Sequence, residues 1–83
     1  MFENPKILWL IEDLDTYLWY YVSERIGQVK IFESITDEDY WTSNAYEAVG
    51  FDTENEAREM IEHLRNNKSF EGKRMDTTDH MFL

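Results

Sequence analysis

Two apolar runs separated by Asp13-Leu14-Asp15 constrain this chain more than any other feature of it. Ile7 to Glu12 is the first run and Thr16 to Ser23 the second. The second gathers Thr16, Tyr17, Trp19, Tyr20, Tyr21 and Val22, β-branched and aromatic side chains that suit a pleated surface. A single helix from 7 to 24 is the rival reading, and that cluster argues against it. Asp-x-Asp between two such runs predicts a hairpin, although the tightest hairpin turns carry Gly. Side chains alternate along a strand. Ile7, Trp9 and Ile11 therefore oppose Leu8 and Leu10, and Tyr17, Trp19 and Tyr21 oppose Leu18, Tyr20 and Val22. Strands apolar on both faces need cover on both.

One cover is a helix. Thr53 and Glu56 form a capping box, and Glu54 suits the positive end of a helix dipole. Ala57, Met60, Ile61 and Leu64 fall at i, i+3, i+4 and i+7, an apolar stripe. Glu54 and Arg58 make a favourable i,i+4 pair, and Asn66-Asn67 ends the element. The spacing predicts one helix over 53–66. Gly27-Gln28 reads as a turn into a third strand, Val29 to Glu33. Ile35 to Tyr46 reads as an acidic loop, and Val49-Gly50-Phe51 as a short edge segment. The tail, 68–83, is polar until His80-Met81-Phe82-Leu83, which adds a short strand or docks on the core. The prediction is one domain, 1–83, of α+β class: a small antiparallel sheet of three to four strands with one amphipathic helix packed across it. The second sheet face falls to the loop and tail, to a second copy of the chain, or to a partner.

Eighteen Asp and Glu against eight Lys and Arg leave a net charge of −10. An aromatic content of 16% separates the chain from disordered acidic tails, which are poor in rings. The charge is uneven. Residues 31–64 hold ten acids and one base, whereas residues 1–30 are net −2 and residues 65–83 net +1. Such a balance disfavours direct contact with nucleic acid or anionic membranes, where Lys and Arg must supply the charge. It favours a basic partner. There is no Cys, hence no disulfide and no thiolate chemistry, which points to a reducing cytoplasm. Met1 to Lys6 lacks the regions of a signal peptide, and no run approaches the ~20 apolar residues of a membrane helix.

Catalytic and metal signals are weak. Asp13, Asp15 and Glu24 stand at positions 1, 3 and 12 of an EF-hand loop, but the required Gly is Leu18 and position 5 is Tyr17. Asp76, Asp79, His80 and His63 offer too few converging ligands for a metal centre. Ser23, Ser34, Ser43 and Ser69 lie in no nucleophile elbow. Glycines 27, 50 and 72 are too scattered for a phosphate loop. The expectation is a non-enzymatic protein without metal or cofactor.

The acidic segment is the remaining signal. Glu33, Asp37, Glu38, Asp39, Glu54, Glu59 and Glu62 would present carboxylates to a basic groove, and Tyr40 and Trp41 would supply buried anchors. Duplex DNA carries one negative charge per ~1.7 Å of axis, so a rigid acidic fold can compete for the same groove. The alternative is that the acids only solubilise an apolar sheet, which is then buried in a homodimer through a sheet face.

The stretch Tyr40-Trp41-Thr42-Ser43-Asn44-Ala45-Tyr46-Glu47-Ala48 with Phe51-Asp52-Thr53-Glu54-Asn55-Glu56-Ala57 resembles a pattern in small bacteriophage and mobile-element proteins. There a hairpin, a W-T-x element, an alanine and F-x-T-x-x-E-A lead into one helix. The resemblance covers residues 7–64 and carries no catalytic residue. It implies a phage-encoded α+β protein in the host cytoplasm. Many small acidic phage proteins block host enzymes or defence systems, anti-CRISPR and anti-restriction proteins among them; the target expected for this chain is a basic, nucleic-acid-binding site on such a host protein.

Overall fold

The structure is a computed structural model that describes residues 5–27 and 36–82. The first apolar run becomes β1, Lys6–Asp13. It pairs antiparallel with β2, Trp19–Tyr20, through Glu12 opposite Trp19. The expected hairpin is present, closed by Asp13 N–H to Leu18 C=O at 2.8 Å and Tyr17 N–H to Asp13 C=O at 2.7 Å. Tyr17 takes the left-handed conformation, φ 63°, where such loops favour Gly. The second strand is much shorter than the run Thr16 to Ser23, because its start is used up in this turn. The third expected strand, Val29 to Glu33, lies outside the described residues.

The acidic loop is more ordered than its composition suggests. It contains a 3-10 turn, Asp37–Asp39, and then β3, Trp41–Thr42, which pairs with β2. Phe51 bridges Trp9, so the segment Val49 to Phe51 does lie at the sheet. At Gly50 the chain passes close to Leu8: a Cβ there would stand 2.7 Å from Leu8 Cδ1. The helix is α1, Glu54–Arg65, with the Thr53 hydroxyl accepting from Glu56 N–H at 3.2 Å.

The polar tail holds the largest departure. The whole of Met75–Phe82 is a strand, β4, where only the last four residues suggested one. It pairs with the full length of β1, from Lys6 opposite Phe82 to Asp13 opposite Met75. Among the described residues the sheet order is β3-β2-β1-β4, four antiparallel strands with one α-helix, as the α+β expectation required. This strand needs no continuous apolar run, since its faces are not both covered: Asp76, Asp79 and Met81 are exposed.

Pairing register assigns the two faces. Trp9, Ile11 and Asp13 share one face with Thr77 and Met75; Leu8, Leu10 and Glu12 share the other with His80, Thr78 and Asp76. On the first face α1 lays Ala57, Ile61 and Leu64 against Ile11, Tyr20, Trp41, Phe70 and Met75. Phe70 comes from a 3-10 turn after the helix, Lys68–Phe70, and is 2% exposed. On the second face Leu10 is fully buried. Edge-on ring contacts join Trp19 to His80 at 5.3 Å and Tyr46 to Phe82 at 5.2 Å, and His80 lies 5.3 Å from Phe82. The loop and tail thus supply much of the cover that the two-faced strands demanded.

Candidate interaction surface

The acidic turn is held from beneath by the continuation of β2. Tyr21 N–H donates to Tyr40 C=O at 2.9 Å, Ser23 N–H to Asp39 C=O at 2.9 Å, and the Tyr21 hydroxyl to Glu38 C=O at 2.7 Å. Asp39 is buried, and Arg25 reaches both of its oxygens: Nε to Oδ1 at 3.0 Å and Nη2 to Oδ2 at 3.1 Å. Thr36 N–H donates to the same carboxylate at 3.0 Å. These bonds, the guanidinium first, hold the Asp39 carboxyl at about 2 instead of 3.8. The fork of donors matches a carboxylate in two places at once, which fixes the turn as well as its charge.

A second network joins this turn to β1. Lys73 Nζ stands 3.2 Å from Asp37 Oδ2 and 3.5 Å from Asp13 Oδ2, and 5.7 Å from the centroid of the Trp41 ring. Burial works to raise the Asp13 carboxyl. The Asp15 N–H, the Thr16 hydroxyl and Lys73 outweigh it, and the group titrates below its ordinary value. For Lys73 burial favours the neutral amine, and Asp37 with Asp13 overcomes that and raises it.

The residues picked as a binding face therefore divide. Trp41 is 5% exposed and belongs to the core, and Tyr40 is half-buried with its ring 4.9 Å from Phe70. Neither projects as a free anchor. Asp39 is committed to Arg25, and the largely exposed Asp37 to Lys73. Glu54 accepts from Arg58 at 3.0 Å and from the Thr77 hydroxyl at 3.1 Å, and Glu62 pairs with Arg65 at 3.3 Å. Glu59 is exposed and accepts from the Asn55 amide. Glu38 is exposed and enters no ion pair among the described residues. Glu33 lies outside the described residues. Thr77, Asp76 and Met75 contact Glu54, Arg58 and the cavity beside Ile61 in turn, so β4 runs against the helix direction. Lys73 and its partner Asp37 consequently lie beyond the C-terminal end of α1, and Glu54 at its start. A helix of 12 residues is about 18 Å long, so these acids form an extended surface and not one patch.

Sequence reading found the Glu54–Arg58 pair and missed the long-range ones. Arg25, Lys73 and Arg74 hold acids 14, 36 and 59 residues away. No local spacing carries such pairs. Lys6 with Asp52, Arg58 with Glu54 and Asp76, and Arg65 with Glu62 complete the set, and among the described lysines and arginines only Lys68 has no acid within ion-pair reach. Glu24, Glu38, Glu56, Glu59, Glu71 and Asp79 are exposed acids without a paired cation among the described residues.

Among the described residues no group of three or more His, Cys, Asp or Glu side chains could hold a metal ion. Asp79 stands on the face of β4 opposite to Asp76 and His80, so those three do not converge. No helix among the described residues is long and apolar enough to cross a membrane. Comparison with known protein families, characterised proteins and solved structures gives no match to this chain.

Proposed function

We propose that this protein is a non-enzymatic acidic binding protein, phage-encoded, that occupies a basic, nucleic-acid-binding site on a host protein such as a component of a defence system. One observation carries the reading. The chain spends nearly all its described lysines and arginines on its own carboxylates, and a surplus of exposed acids is left on the folded surface. On the outer side of α1, Glu56 and Glu59 stand three residues apart, as do Glu59 and Glu62, which places each pair about 5–6 Å apart at Cβ. Glu38 extends the charge beyond the C-terminal end of the helix. Each internal ion pair also removes a cation that would otherwise bind nucleic acid directly.

The test is capture from a bacterial lysate. The wild-type protein should retain a basic nucleic-acid-binding protein, release it as salt rises, and compete with duplex DNA for it. Exposed charges are screened within about 8 Å at physiological ionic strength. The triple variant Glu38→Gln, Glu56→Gln, Glu59→Gln touches no ion pair and should fold normally. Its association with the captured protein should slow by about tenfold or more, because steering charges act on the association rate. An unchanged rate in a folded variant refutes the reading.

A further inference from the structure

β4 is an edge strand of the sheet, with β1 on one flank. Trp9 exchanges both of its backbone bonds with Phe51, at 2.8 and 2.9 Å, and Asp13 N–H bonds Leu18. The odd-numbered residues of β1 thus turn their backbone groups away from β4, and its even-numbered residues bond His80, Thr78 and Asp76. It follows that Met75, Thr77, Asp79 and Met81 direct N–H and C=O outward from the sheet edge. Among the described residues one of these groups has a partner: Thr77 N–H donates to the neighbouring Asp76 carboxylate at 2.8 Å, and Arg58 stands 3.5 Å from that carboxylate. Beside the same edge lies a cavity of about 280 Å³ between α1 and β4, lined by Arg58, Ile61, Glu62, Arg65 and Met75. At the other end of the strand Met81 is 59% exposed, on the same face as Met75.

We propose that β4 pairs antiparallel with β4 of a second copy of this chain, about a two-fold axis at Thr78. Met81 of each copy then enters the cavity beside Met75 of the other. Outward groups can only bond outward groups, so the register moves in steps of two residues. Centring on Thr78 sets Met81 opposite Met75, Asp79 opposite Thr77, Asp76 opposite His80, and Thr78 opposite itself. Every acid then faces a hydroxyl or an imidazole, and each exposed methionine faces a methionine and an opening able to take it. Centring on Asp79 would oppose two carboxylates directly, which is destabilising. Centring on Thr77 sets Met75 opposite Asp79 and leaves Met81 beyond the paired strand. Asp76 must release the Thr77 N–H on pairing. Two copies of net charge −10 also repel. The dimer therefore forms at high protein concentration and strengthens with added salt, the reverse of binding to a basic partner.

Two measurements decide it. The chain has no Cys, so a single introduced thiol reports the register. Thr78 would be a non-hydrogen-bonded pair across the axis, with Cα atoms about 4.5 Å apart, inside the usual disulfide range of about 4.4–6.8 Å. A Cys replacing His80 would lie about 14 Å from its copy. The Thr78→Cys variant should oxidise to a disulfide dimer at least about tenfold faster than His80→Cys. Asp79→Pro removes one outward N–H and no bond to β1, so it should fold and raise the dimer dissociation constant at least about tenfold by sedimentation. The proposal is overturned by a wild-type monomer at every concentration and salt. It is equally overturned by cross-linking that is no faster through Thr78→Cys, or by a folded Asp79→Pro that dimerises as wild type does.

Discussion

Replacing Phe70 by Ala should remove a large part of the stability of this fold. Phe70 is 2% exposed and sits among three rings, with centroids 4.9 Å away at Tyr40, 5.8 Å at Tyr20 and 5.8 Å at Trp41. It is the side chain through which the turn after α1 closes on β2 and β3. Truncating a buried Phe costs about 3–5 kcal/mol, because the site loses transfer energy and keeps part of the cavity. Lost edge-to-face ring contacts fall within that figure. At about 0.05–0.15 kcal/mol per residue, a chain of 83 residues has about 4–12 kcal/mol in total. The variant should therefore retain from nothing to about three-quarters of its stability. A loss of 1 kcal/mol lowers Tm by about 4–8 °C in a domain of this size, so the fall should exceed about 12 °C. Thermal and urea unfolding followed by tryptophan fluorescence and circular dichroism would measure it. Tyr46→Ala is the control. Tyr46 is 75% exposed, so its loss should stay under about 1 kcal/mol. A Phe70→Ala variant melting within about 5 °C of wild type would refute the placement of Phe70 at the centre of the core.

Two further outcomes follow from local chemistry. The Asp39 carboxyl is held at about 2 in the folded state against 3.8 ordinarily, so its contribution is present above 3.8 and is lost as pH falls toward 2. The stability difference between wild type and Asp39→Asn should shrink across that window in acid titrations of urea midpoints; a constant difference would show that Arg25 does not lower the group. Tyr17 holds φ 63° with its side chain 72% exposed. Tyr17→Gly should relieve about 1–2 kcal/mol of backbone strain against about 0.5–1 kcal/mol of added unfolded-state freedom, a net gain of up to about 1.5 kcal/mol. A lower urea midpoint for that variant would contradict the strained turn.

The parts legible in the sequence are those encoded by residues close together in it. The Thr53 cap and the stripe Ala57, Met60, Ile61, Leu64 specify α1, since a helix is bonded within itself and its buried face repeats every turn. Asp13-Leu14-Asp15 between two apolar runs marked the hairpin, and the runs on both faces of β1 announced that both must be covered. The rest depends on contacts that no local pattern records. Met75 to Phe82 reads as a polar tail because it is an edge strand, and only its pairing with β1 makes it structure. Trp41 looked like a surface anchor because acids surround it in sequence. In the fold its neighbours are Phe70 and Tyr20, from segments far along the chain.

Residues near one another in the chain encode the fold class, the place of the helix, the hairpin and the sign of the charge. Which carboxylates remain unpaired, which aromatic rings are core, and which strand edge stays open depend on how distant segments pack. Composition sets the number of charges, but their distribution over the surface depends on how the strands bring distant cations to them. Arg25, Lys73 and Arg74 meet their acids through sheet pairing and loop closure, so the exposed acidic surface is a property of the folded chain.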